Sequence, residues 1–143
     1  MNNVTKMKIS RPAREVFEAF VDPARIGNFW FSSSSGRWEQ GKTITLRYDE
    51  YNAQTEIRIM EIGRDRKIVF QWGADGRGNT VTITLEKQND GSTMIQVIEE
   101  GFEEKDAHLI ENLLDNKEGW VYMLTCLKGY LEYGAVLRAS LAK

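Results

Sequence analysis

VTITLEKQNDGSTMIQVIEEGF, residues 81–102, carries the strongest structural signal in the chain. Val81, Ile83 and Leu85 alternate with Thr82, Thr84 and Glu86, and Thr80 extends the polar set, so residues 79–87 form a strand with one face in a core. Asn89-Asp90-Gly91 is a hairpin signal, because Asn, Asp and Gly tolerate the left-handed backbone that tight hairpin turns require. Beyond the turn Thr93, Ile95, Val97 and Glu99 share a face. Two strands joined this way, apolar on one side and polar on the other, describe an antiparallel sheet covered on one side only.

Working outward from this hairpin, the segments before it are also β. Residues 43–48 alternate with Ile44, Leu46 and Tyr48 on one face, and residues 67–72 place Ile68, Phe70 and Trp72 together. Residues 54–62 start in phase at Ile57 and Ile59 and then shift to Met60 and Ile62, which predicts a bulge. Residues 4–9 alternate loosely and form a short first strand. Pro12 at a first helical position, with Val16, Phe17 and Phe20 at helical spacing, predicts a short helix over 12–20. Asp22-Pro23 repeats the start signal and predicts a second short helix ending near Phe29.

The cover for the sheet lies after the hairpin. Trp120, Met123, Leu124, Leu127, Leu131 and Gly134 recur at three and four, opposite Lys128 and Glu132. Asp115 and Glu118 resemble a capping box, so the expectation is an amphipathic helix of about 20 residues, ~30 Å long, starting after Asp115. A shorter helix over 106–114 leads into it. The expected fold class is α+β: a curved antiparallel sheet wrapped around a long C-terminal helix, with two short N-terminal helices. At 143 residues the chain has the length of one domain, residues 1–143, which buries roughly 70% of its unfolded surface.

Composition excludes several functions. Net charge is −2 with the two signs mixed, and no basic block marks a nucleic-acid surface. No apolar run approaches the roughly 20 residues of a membrane span, so no membrane insertion is expected. The N-terminal MNNVTK has no apolar signal-peptide core, and the expected location is cytoplasmic. Cys126 is the single cysteine, which rules out an internal disulfide; mid-helix, it reads as a buried inert thiol. His108 is the single histidine and has no ligand motif around it; a surface or helix-end position is expected. The glycine-rich run 73–78 lacks the lysine and Ser/Thr of a phosphate loop and joins two strands. Neither a metal nor another cofactor is expected, and no catalytic constellation can be built.

Aromatic residues carry more information. Tyr48, Phe70, Trp72 and Trp120 fall on inward faces with Met60 and Met123 near them. They either fill a solid core or line an adaptable apolar pocket in which a few polar groups set orientation. Glu99 is the polar residue that strand parity places inside, unless the strand has ended and its carboxylate reaches solvent. GNFWFSSSSGRW, residues 27–38, sets three aromatics beside four serines and raises the same choice between core and cavity rim.

The order of elements resembles the helix-grip fold of the SRPBCC superfamily (START-like, birch-pollen-allergen-like), and within it the bacterial homologues of the activator of heat-shock protein 90 ATPase. The matching pieces are ISRPAREVFEAFVDPARIGNFWF, GRWEQGK, VTITLEKQNDGSTMIQVIEEGF and GWVYMLTCLKGYLE, spread over nearly the whole chain. Gly41-Lys42 departs from the paired glycines usual in relatives. The resemblance implies a hydrophobic cavity between sheet and long helix for lipids, polyketide-like aromatics or other apolar small molecules. Trp30, Phe31, Trp38, Val97 and Leu127 then join Tyr48, Met60, Phe70, Trp72, Glu99, Trp120 and Met123 as ligand-binding candidates. Ser32 to Ser35 would be a mobile connection at the mouth, and Trp38 would start the next strand. Three functions follow: a small-molecule binding module, favoured here; a cyclase or hydrolase using Glu99 with Tyr48 or another hydroxyl; and a chaperone ATPase regulator with a chaperone partner. Ligand identity and oligomeric state are not set by the sequence.

Overall fold

The computed structural model describes residues 1–142. Seven strands form one antiparallel sheet: β1 (Asn2–Ile9), β2 (Ser33–Ser34), β3 (Thr43–Tyr48), β4 (Ala53–Gly63), β5 (Lys67–Trp72), β6 (Thr80–Lys87) and β7 (Thr93–Glu100). Their order across the sheet is β1-β7-β6-β5-β4-β3-β2, so the first strand pairs with the last. Alternation does the positioning. Val81, Ile83, Ile95 and Val97 point to one face and are almost completely buried, as are Ile57, Ile59, Ile68 and Phe70. The expected bulge sits in β4, where the register with β5 shifts between Ile59 and Glu61. Met60 is the residue in the bulge; it points outward and is 45% exposed.

Two helices cover the apolar face. α1 (Ala13–Val21) buries Val16, Phe17 and Phe20. Pro12 caps it from an extended conformation, and its carbonyl accepts the Glu15 and Val16 N–H groups. The second N-terminal helix expected from Asp22-Pro23 is not an α-helix. Asp22 instead makes a local turn, its carboxylate accepting the Ala24 N–H at 2.9 Å. A single 3₁₀ turn, Ile26–Asn28, follows. The tighter spiral puts residues three apart on one side, and Ile26 and Phe29 are both fully buried there.

The long helix α2 runs unbroken from Leu109 to Tyr133, 25 residues, and replaces the two helices expected. Asp115 therefore lies inside it and is not its cap. Asp106 organises the start: its carboxylate accepts the His108 N–H at 2.8 Å and the Asn112 side-chain amide at 3.0 Å. Trp120, Met123, Leu124, Cys126 and Leu127 are its buried residues. Gly134, expected on the helix's apolar stripe, instead ends it in the left-handed conformation, φ 67°.

The serine run is also more ordered than expected. Ser33 and Ser34 pair with Arg47 and Leu46 as the edge strand β2. The Ser32 hydroxyl accepts the Asp49 N–H at 2.8 Å and the Ser35 hydroxyl accepts the Thr45 N–H at 2.9 Å. Hydroxyls one atom from the backbone can tie an edge to its neighbour in this way, which corrects the picture of a mobile connection. Trp38 follows in irregular chain and does not start a strand; β3 begins at Thr43.

Candidate ligand-binding site

The sheet and α2 are joined at one polar point inside the apolar grip. Glu99 lies near the end of β7, opposite Asn3 of β1 and Val81 of β6. The alternation that buries Ile95 and Val97 also turns Glu99 inward, and it is 4% exposed. Its Oε1 accepts the Trp120 indole N–H at 3.1 Å, the Asn116 amide at 3.0 Å and the Trp72 indole N–H at 3.3 Å. Oε2 accepts the Asn79 amide at 3.0 Å. Asn116 and Trp120 are one helical turn apart on α2, so a single carboxylate gathers two helix residues and two sheet residues. All four partners are N–H donors, so both carboxyl oxygens act as acceptors.

Neighbouring positions make room for this network. Asn116 also accepts the Asn3 side-chain amide through Oδ1 at 3.1 Å, which ties β1 to the same turn of helix. Gly101, φ 118°, lets Asn79 approach; a Cβ there would meet Asn79 Oδ1 at 2.3 Å. A Cβ on Gly78 would stand 1.8 Å from the Trp72 carbonyl, so only glycine lets the β5–β6 connection cross over that residue.

The space between sheet and α2 is largely filled by Trp30. Its ring centroid lies 5.5 Å from that of Trp120, 6.3 Å from Trp72, 6.5 Å from Phe70 and 4.9 Å from Phe31. Open clefts remain on either side of it. The first, about 250 Å³, is lined by Trp30, Trp72, Trp120, Asp115, Asn116 and Gly119. The second, about 360 Å³, is lined by Phe29, Trp30, Tyr48, Tyr51, Tyr122 and Met123, with Gly119 and Leu141 completing it. Gly119 belongs to both. It is mid-helix, where glycine costs about 1 kcal/mol relative to alanine, and a Cβ there would meet nothing within 4 Å.

The candidate residues therefore divide. Trp30, Trp72 and Trp120 share the first cleft with Glu99 hydrogen-bonded behind it, and Tyr48 and Met123 line the second. Phe31 packs between Tyr48 and Trp72, at 5.6 and 6.3 Å between ring centroids. Phe70, Val97 and Leu127 are core and line neither cleft. Trp38 is also buried, against Phe70 and Phe20, and borders only a charged hollow beside α1. Met60 lies on the outward side of the β4 bulge and lines neither cleft.

Sequence reasoning missed Asn79, Asn116, Gly119 and Arg138. Asn116 falls within the Asp-Asn-Lys-Glu run that resembled a cap, and its i,i+4 spacing to Trp120 was the signal available. Arg138 belongs to the chain after α2, which folds back over the second cleft. It donates to the Trp30 carbonyl at 2.7 Å, forms two hydrogen bonds with Glu50 and lies 4.9 Å over the Tyr48 ring. The guanidinium holds the Glu50 carboxyl down at about 2, while burial pushes the Tyr48 hydroxyl up. The Tyr122 hydroxyl donates to the Leu137 carbonyl and accepts the Ser140 N–H. Cys126 is buried, which raises its thiol, and His108 is exposed just before α2. Among the described residues no three His, Cys, Asp or Glu side chains are grouped to hold a metal, and no helix is long and apolar enough to cross a membrane.

Residues 10–132 match the family described as Activator of Hsp90 ATPase homolog 1-like protein. The chain belongs to that family. The Hsp90-activator-homologue fold lies within the SRPBCC superfamily, as the order of elements implied. Among solved structures the chain is similar to the protein SSP2350 from Staphylococcus saprophyticus, with 51% identity, 96% of each chain covered and a TM-score of 0.85. It is also similar to the Aha1 dimer from Colwellia psychrerythraea, at 17% identity, covering 94% of this chain and 98% of that one, TM-score 0.81. DynU16, a protein of the dynemicin biosynthetic locus, matches at 20% identity over 94% of this chain and 48% of its own, TM-score 0.82. The last two show a shared fold alone. Among curated proteins none matches the chain.

Proposed function

We propose that this member of the Hsp90-activator-homologue family is a binding module for apolar or aromatic small molecules. The observation that carries the proposal is the convergence of Trp30, Trp72 and Trp120 on one cleft, with two of the three indoles fixed from behind by Glu99. Preset aromatic walls with few polar groups suit a planar apolar ligand. Burying roughly 300 Å² of apolar ligand surface at ~25 cal/mol per Å² gives ~7–8 kcal/mol gross. The costs of association reduce this to dissociation constants between micromolar and millimolar. Titrating phenols, polycyclic aromatics and lipids against tryptophan emission tests the reading. Saturable quenching by at least one class is expected; none from any class removes the proposal.

Acid–base chemistry at Glu99 is less well supported, because all four of its partners are N–H groups and none is a hydroxyl. Tyr48, the hydroxyl named with it, packs with Phe31, Tyr51 and Arg138. A second reading, regulation of a chaperone ATPase, is favoured by the family's description and by the outer face of α2. Ile110, Leu114 and Val121 are exposed there, close together on the helical wheel. Stimulation of Hsp90 ATP hydrolysis by the purified chain is the expected sign of that role, and an unchanged rate removes it.

A further inference from the structure

The two clefts share Trp30 on one side and Gly119 on the other. Trp30 is the least tethered of the four tryptophan side chains. The Trp72 and Trp120 indoles donate to Glu99 and the Trp38 indole donates to Ser34. Among the described residues the Trp30 indole donates to none, although its main chain is held by Ile26 and Arg138. The backbone is pinned, whereas the indole is held by ring contacts alone, with Phe20, Phe31, Trp38, Phe70, Trp72 and Trp120 at 4.9–6.5 Å, and no hydrogen bond ties it to one rotamer. Across from it, Gly119 has neither a positive φ nor a close neighbour, so the fold itself does not require glycine there. What its missing side chain leaves is open space where the two clefts adjoin.

We propose that the two clefts are one binding site divided by a movable Trp30 side chain, and that it takes an elongated planar aromatic molecule of about three fused rings, whose middle passes the bare face of Gly119. The inference rests on the binding function proposed above and narrows its ligand class. The first cleft, about 250 Å³, falls below the ~300–1,000 Å³ typical of ligand pockets and the second, about 360 Å³, sits at its low end; joined, they lie well within it.

Calorimetric titration with 2-naphthol and 2-hydroxyanthraquinone, alone and in competition, tests this. In the wild-type chain the three-ring probe is expected to bind one molecule per chain, about ten-fold tighter than the two-ring probe, and to exclude 2-naphthol completely. Gly119→Leu, which places a side chain between the clefts, is expected to weaken the three-ring probe at least ten-fold and 2-naphthol no more than about three-fold. Gly119→Ala, whose methyl has room, is expected to keep its melting temperature or raise it and to show an intermediate loss of the three-ring probe. If both probes bind but lose affinity equally in both variants, or not at all, the single-site inference is overturned and the binding function stands. The same holds if saturating hydroxyanthraquinone leaves a naphthol site free. If neither probe binds the wild-type chain, the inference falls together with the aromatic-ligand reading on which it rests.

Discussion

A carboxylate leaves water at a cost of several kcal/mol unless other groups replace its hydration. Glu99 is supplied with four N–H groups from β5, β6's approach, and one turn of α2. Glu99→Gln keeps the shape but offers one acceptor oxygen in place of two and adds donors facing donors. It is expected to lower stability by about 2–4 kcal/mol, the range for losing bonds to a charged group and stranding their partners. The denaturation midpoint checks this; an unchanged midpoint contradicts the anchoring role. Glu50 gives a second test at this scale. Its ordinary value of 4.5 is lowered to about 2, first by the hydrogen bond from Arg138. A depressed carboxyl stabilises the fold above its unfolded value and loses that contribution as pH falls toward its folded value. The Arg138–Glu50 contact therefore weakens between about pH 4.5 and 2. An NMR titration is expected to show Glu50 shifting near the low end in the wild-type chain and returning toward its ordinary range in Arg138→Ala. Of these residues Glu99 was legible, because strand parity carries through from Thr93. Asn79, Asn116 and Arg138 were not: nothing local to an asparagine or a terminal arginine says which distant group it will meet.

At the scale of elements, α2 is held by a short central stretch. Its buried residues lie between Trp120 and Leu127, while Ile110 and Leu114 in its first half are exposed. Trp120→Ala removes a buried large aromatic and its hydrogen bond to Glu99, and is expected to cost about 3–5 kcal/mol. Asp106→Ala removes the acceptor that organises the helix start and is expected to cost about 1 kcal/mol, in the range of lost helix-start side-chain bonds. Gly119→Ala is expected to raise stability by about 0.5–1 kcal/mol, since it adds helix propensity where there is room. Chemical denaturation of the three variants orders them. The strands β4 to β7 were legible because period-two alternation runs through each, and the β4 bulge because that period slips. The stretch after Asp22 was not, since a capping Asp and a proline signal a turn as readily as a helix; side-chain closure of Asp22 onto Ala24 decided it. The start of α2 was misplaced for a related reason. Asp115 and Glu118 satisfy a capping pattern, but Asp106 had already begun the helix. The two-residue strand β2 is too short for periodicity to mark.

For the molecule as a whole, strand order and the grip of sheet on helix follow from patterns spread over the entire chain. The interior does not, because whether aromatics fill a space or line it depends on how they meet. Trp30 fills much of the space and leaves a cleft on each side, so core and rim are the same residues viewed from opposite directions. The central claim is that the cleft walled by Trp30, Trp72 and Trp120 is where a small aromatic molecule binds. The four indole N–H groups make four separate NMR signals, which Trp→Phe variants assign. Titration with 2-naphthol or 2-hydroxyanthraquinone is the most direct test. The account predicts saturable shifts of the Trp30, Trp72 and Trp120 signals that exceed any at Trp38, which is bonded to Ser34 and lines neither cleft. Shifts confined to Trp38, or no saturable shift in any of the four, would contradict it.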